Sequence, residues 1–168
     1  MALIFQSIKD KLSGVPKEDR MKIQGISLGE NIDKFEAQLI ARGWVKDSDI
    51  PKSMKLVAKS FSGIFNRKKA DLIIHYNIVL RNIQFVAISY ERTSQEEATM
   101  QNQENITKII ETYGISPQTQ PNGIVFEMKH GRIACSVEYD GCGRYGAVMI
   151  YTNTPNNDKY FEPGYSEF

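Results

Sequence analysis

Between residues 70 and 80 the apolar positions fall on every second residue. Leu72, Ile74, Tyr76, Ile78 and Leu80 alternate with Asp71, Ile73, His75, Asn77 and Val79. Side chains of a strand point to opposite faces in turn, so this spacing predicts a strand with the first set on a core face and the second on a wetter one. Strand formers also fill residues 54–65 (MKLVAKSFSGIF) and 83–92 (IQFVAISYER). The polar turn at residues 66–69 and the break Arg81-Asn82 are short enough to join only antiparallel neighbours. Residues 54–92 therefore read as an antiparallel meander.

On either side the period changes to that of a helix. Ile32, Phe35, Leu39 and Ile40 share one helical face, Asn31 suits the N-cap, and Arg42-Gly43 closes the run. Further on, Ser94 and Glu97 have the spacing of a capping box, Ile106, Ile109, Ile110 and Tyr113 form the stripe, and Gly114 ends it. The first half of this second helix (EEATMQNQEN) is mostly polar and is expected to project beyond the core. A loop with Pro117 and Pro121 follows, and then strands at 123–130, 132–139 and 146–152. Residues 21–26 suit a short strand and 45–53 a polar loop holding Pro51. Residues 2–12 suit an amphipathic helix, with Leu3, Ile4, Ile8 and Leu12 on its stripe.

The order is thus helix–strand–strand–strand, twice. Aligning Gly43 with Gly114 also aligns Phe35 with Ile106 and Leu39 with Ile110. The fold class expected is α+β: two helix-plus-three-strand units, a mainly antiparallel sheet, and both helices on one face of it. One apolar stripe per helix needs only one face, so the other is left open. The division expected is an N-terminal helix and linker at 1–20, one α+β domain at 21–152 with halves 21–92 and 93–152, and a tail at 153–168. Two separate small sheets are the alternative.

This tandem helix-plus-meander order resembles the fold of the β-lactamase inhibitor proteins. Ile23-x-Gly25-Ile26-x-Leu28, followed by Phe35, Leu39 and Gly43, resembles the start of small uncharacterised proteins of gut Bacteroidetes. The resemblance spans 21–152 and implies a fold without implying an activity. The inhibitor family's two disulfides have no counterpart in this chain, which argues against secretion.

Composition narrows the classes. A net charge of +1 supplies no global field for nucleic acid or an anionic membrane. No apolar run approaches the ~20 residues of a membrane span, and residues 1–14 lack the basic region and cleavage site of a secretory signal. Two cysteines make no disulfide framework, so a reduced, cytoplasmic protein of bacterial or viral origin is expected.

The candidate chemistry is thin. Residues 141–148 (GCGRYGAV) match G-x-G-x-x-G-x-V, but a strand rather than a helix is expected to follow, which removes the dinucleotide reading. A hairpin with positive φ at its glycines is expected instead. Cys135 is in phase with the core, and Cys142 sits at the hairpin tip. His75 and His130 stand in no pattern that a zinc site or a cysteine nucleophile requires. Lys52, Lys55, Lys59, Arg67, Lys68 and Lys69 make a local basic cluster, which reads as a guarded strand edge because RNA-binding strings are missing. No catalytic residue, cofactor or metal is assigned. The function expected is a protein-binding or structural-interaction module, with a protein partner or self-association. The alternative is a small enzyme using the glycine hairpin, Cys142 and a histidine. The interaction residues expected on the open face are Lys55, Lys59, Phe61, His75, Asn77, Arg132 and Glu138.

Overall fold

Tight turns set the path of the chain. The computed structural model describes residues 16–47 and 57–154. The helix expected at 2–12, Lys55, and the tail beyond residue 154 lie outside the described residues. A short 3-10 turn, Lys17–Asp19, leads into β1 (Lys22–Ile23) and β2 (Ile26–Ser27). Gln24 and Gly25 between them both have positive φ, 50° and 80°, the geometry of a type I′ hairpin turn. Next come α1 (Ile32–Ala41), β3 (Val45–Asp47), β4 (Ala58–Phe65), β5 (Lys68–Tyr76) and β6 (Ile83–Tyr90). The second half is α2 (Gln95–Tyr113), β7 (Gln118–Gln120), β8 (Gly123–Met128), β9 (Gly131–Tyr139) and β10 (Tyr145–Asn153).

The fold is α+β with one eight-stranded sheet in the order β3-β4-β5-β6-β10-β9-β8-β7, every neighbouring pair antiparallel, and a separate two-stranded β1-β2 hairpin. The two halves meet at β6 and β10, where Ile88 pairs with Met149 and Val86 with Tyr151. Each meander thus gains a short strand on its outer edge. β3 and β7 fall where the sequence reads as loop, because three residues are too few to show a period.

Both helices lie on one face. Phe35 and Leu39 of α1 and Ile106 and Ile109 of α2 share one apolar cluster with Phe61, Leu72, Ile74, Val86, Ile88, Phe126, Ile133 and Met149. The caps follow the sequence: Asn31 accepts from the Lys34 N–H at 2.9 Å, Ser94 accepts from the Glu97 N–H at 3.2 Å, and Gly114 takes a left-handed φ of 65°. The Glu97 carboxylate bonds the Thr93 hydroxyl. Ile40 and Ile110, expected on the buried stripes, are exposed, because each helix needs only the narrower face under it.

The first half of α2 does not project. Ala98, Gln101 and Asn105 are buried there. One polar atom of each amide joins a chain of hydrogen bonds: Asn66 Nδ2 donates to Tyr90 Oη, which donates to Asn105 Oδ1, and Gln101 Nε2 donates to the same oxygen. The end of the linker expected within 1–20 is also built in. Arg20 is buried, and its guanidinium donates to the His130 carbonyl at 3.1 Å and the Thr154 carbonyl at 2.5 Å.

Candidate interaction surface

The face opposite the helices is a grid fixed by register. His75, Phe85, Thr152, Arg132 and Glu127 stand side by side from β5 to β8, with Ala58 of β4 beside His75. One alternation further along is the row Ser60, Ile73, Ala87, Ile150, Ala134 and Val125. The next is Ser62, Asp71, Ser89, Val148 and Ser136. Lys69 on β5 and Glu138 on β9 lie one alternation beyond that. The second row has no charged side chain across six strands. It also alternates small and large: Ser, Ile, Ala, Ile, Ala, Val. Ile73, Phe85, Ala87 and Ile150 keep part of their surface in solvent, while Ala58, Ser60, Val125 and Val148 are buried. Neither α1 nor α2 reaches this face.

The rim rows are polar and internally paired. Arg132 Nη2 lies 2.7 Å from Glu127 Oε1, and Ser62 Oγ donates to Asp71 Oδ1 at 3.0 Å. Arg92 packs over Gly146 and donates to the Glu138 carbonyl at 3.0 Å. His75 stacks on Phe85, with ring centroids 4.2 Å apart and an interplanar angle of 17°. Partial burial lowers the His75 pKa, because desolvation disfavours the imidazolium.

Of the residues expected here, His75, Arg132 and Glu138 do lie on this face. Phe61 and Lys59 do not. Phe61 is 0% exposed in the core, paired with Leu72. Lys59 sits on the same side and bonds Glu36 of α1, which also holds Lys46 at 2.9 Å. Lysines at alternate positions pointed to a wet face for 54–65. The aromatic rings of Phe61 and Phe65 decide otherwise, since burying two rings outweighs seating one paired ammonium. Asn77 is neither strand nor face. It opens the β5–β6 loop, where its Oδ1 accepts from the N–H groups of Val79 and Leu80 at 2.8 and 2.7 Å. That loop ends β5 at Tyr76, and Ile78 and Leu80, expected in the core, are 46% and 50% exposed. Arg81, with φ 62°, pins the loop to α1 through Asp33 at 2.6 Å. The face residues the sequence leaves unassigned are Phe85, Ala87, Ile150, Val125 and Ala134. The signal for two of them was present: in 83–90 Val86, Ile88 and Tyr90 alternate on the core side, which sends Phe85 and Ala87 outward.

The glycine hairpin is structural. Gly141 and Gly143 have φ of 83° and 88°, and a strand follows from Tyr145. Asp140 Oδ1 accepts from the Cys142 and Arg144 N–H groups at 2.7 and 3.1 Å, which lowers its pKa by favouring the carboxylate. Cys142 is exposed at this tip. His75 and His130 lie at the other end of the sheet, level with Thr152 and Thr154, separated from the tip by the whole of β10, roughly 25 Å at ~3.3 Å per residue. A Cys142–histidine pair is therefore not formed. Cys135 is buried in the core, and burial pushes its thiol up to about 12. Among the described residues no cluster of His, Cys, Asp or Glu suits a metal ion, and no helix is long and apolar enough to cross a membrane. Comparison with family models, curated proteins and solved structures returned no match.

Proposed function

We propose that this chain is a non-catalytic interaction module whose working surface is the sheet face opposite the helices. The observation that carries the reading is the uncharged stretch Ile73, Ala87, Ile150 and Ala134, each keeping part of its surface in solvent between rows that carry charged side chains. An apolar centre with a charged margin is the composition of a protein interface. A protein fits better than a nucleic acid, because Lys69 and Arg132 share the face with Asp71, Glu127 and Glu138. The cytoplasm is the compartment proposed, supported by Cys135 and Cys142 both being free thiols.

The test places a photo-reactive residue on each side of the molecule: Ile150→p-benzoylphenylalanine on the sheet face and Met100→p-benzoylphenylalanine on the exposed side of α2. Irradiation in an extract of the source cells should give protein adducts from position 150 and none from position 100. Adducts from position 100 alone, or none from 150, would overturn the reading.

A further inference from the structure

Three side-chain atoms on one side of α2 are buried with no hydrogen-bond partner in the protein: Gln101 Oε1, Asn102 Oδ1 and Asn105 Nδ2. From their arrangement we propose an internal hydration site under the N-terminal turns of α2. One bound water molecule accepts there from Asn105 Nδ2 and donates to Gln101 Oε1 and Asn102 Oδ1. The site lies on the helix side of the sheet, so it is independent of the interaction face.

Burial makes a guest necessary. Gln101 is 4% exposed and Asn105 1%, and an amide atom buried without a partner is costly to a core. The bonds already in place do not use up these two amides. Asn105 Oδ1 accepts from Tyr90 Oη at 3.1 Å and from Gln101 Nε2 at 2.8 Å, which leaves Nδ2 spare on one amide and Oε1 spare on the other. The spare atoms therefore belong to two amides that already touch. Gln101 and Asn105 are four residues apart, and Asn102 and Asn105 three, the spacings at which side chains on a helix are neighbours. Asn102 is only half-buried, so the site lies at the margin of the core, where water can enter.

The chemistry of the set selects the guest. One donor and two acceptors are the complement of a water molecule, and about three hydrogen bonds is the usual number for a buried water. A metal or ammonium cation would face the Asn105 amide N–H, and an anion would face two amide oxygens. Turning the whole chain of amides end for end makes Tyr90 accept from Asn105 Nδ2 and donate to Asn66 Oδ1. That exchanges the spare donor and the spare acceptor between Gln101 and Asn105 without removing either. A guest that both donates and accepts is needed in either sense.

The same water accounts for how this end of α2 stays on the sheet. Aligning Gly43 with Gly114 leaves residues 95–102 without a counterpart in α1. The buried side chains of residues 95–105 are Ala98, Gln101 and Asn105, so these turns are held chiefly through polar atoms. A bridge that satisfies the amides lets them remain in the core.

Two measurements on the full chain test the site. A high-resolution crystal structure should show a water oxygen within hydrogen-bond distance of both Gln101 and Asn105. The proposal is overturned if the two amides instead close on each other through both pairs of atoms, or if either side chain turns out to solvent. In solution, oxygen-17 relaxation dispersion counts water molecules held for longer than the protein's tumbling time. Its amplitude should fall by one molecule per chain from wild type to the apolar double variant Gln101→Met with Asn105→Leu, with circular dichroism reporting the fold. Equal amplitudes in a folded variant overturn the proposal as well. If that variant does not fold, the crystal structure of the wild-type chain decides alone.

Discussion

Tyr90 Oη donates to Asn105 Oδ1 across 3.1 Å, at the point where β6 passes under α2. This bond holds a polar helix half against an apolar sheet, since Asn105 is 1% exposed and Gln101 4%. Removing the phenol leaves Asn66 Nδ2 without its acceptor and takes one donor from Asn105. Tyr90→Phe should cost about 1–2 kcal/mol in urea unfolding. A variant as stable as wild type would show that α2 is held by Ile106 and Ile109 alone.

The same tyrosine makes stability fall in alkali. Burial raises the Tyr90 pKa from 10.0 to about 12, so the phenol is neutral in the folded chain at pH values where the unfolded chain ionises it. Buried Cys135 is shifted the same way, from 9.0 to about 12. The unfolded state then binds fewer protons than the folded one, and stability declines as pH rises from about 9 towards 12. Unfolding free energies measured across that window should decline, and the slope above pH 10 should be shallower in Tyr90→Phe. A flat profile contradicts the burial of both groups.

Acid acts through a different pair. Burial opposes ionisation of Glu36, but hydrogen bonds and charge from Lys59 and Lys46 outweigh it and hold the carboxyl below 4.5. A lowered carboxyl pKa stabilises the fold above the unfolded pKa, and that contribution is lost as pH falls through the folded value. Glu36→Gln should lose stability at neutral pH by about 1–3 kcal/mol, since Lys59 is left half-partnered at a site only 14% exposed. It should also flatten the acid limb of the profile. Equal acid sensitivity in wild type and variant would assign the acid limb to other carboxylates.

Two apolar substitutions separate the faces. Phe61→Ala should cost ~3–5 kcal/mol, because the ring fills the space between β4, β5 and the helices. Ile150→Asp should cost about 1 kcal/mol and keep the near-ultraviolet spectrum, because this side chain already meets solvent. Reversed costs would mean that the two faces of the sheet have been exchanged.

Gly123 tests the hairpin geometry of the second meander. Its φ is +146°, and an added Cβ would strike the carbonyl oxygen of Cys135 on β9. Gly123→Ala should lower stability by about 2 kcal/mol or more, as backbone cannot move aside like a flexible side chain. Gly141→Ala, at a tip where nothing lies within 4 Å, has only its φ of +83° to oppose it and should cost about 1 kcal/mol. Equal effects would remove the role given to the Cys135 carbonyl.

Local chemistry was legible because it acts over a few residues. Asn31 and Ser94 announce their helices, Gly114 ends one, and the alternation of Leu72, Ile74 and Tyr76 sets the phase of β5, because caps and strand periods need only neighbours in the chain. The α+β class and the two meanders follow from those signals and from the short turns between them. The tertiary structure decided what depends on partners far along the chain. It joined the meanders through β6 and β10, since no sequence distance encodes which strand edges meet. It drew Phe61 and Lys59 under α1, where two rings and the Glu36 carboxylate outweighed the solvation of one lysine. It buried Gln101 and Asn105, whose polarity reads as surface until Tyr90 stands opposite. It also assembled the uncharged row from β4, β5, β6, β10, β9 and β8, one side chain from each strand. A row that runs across the strands exists only once register is set, and register is a property of the folded sheet.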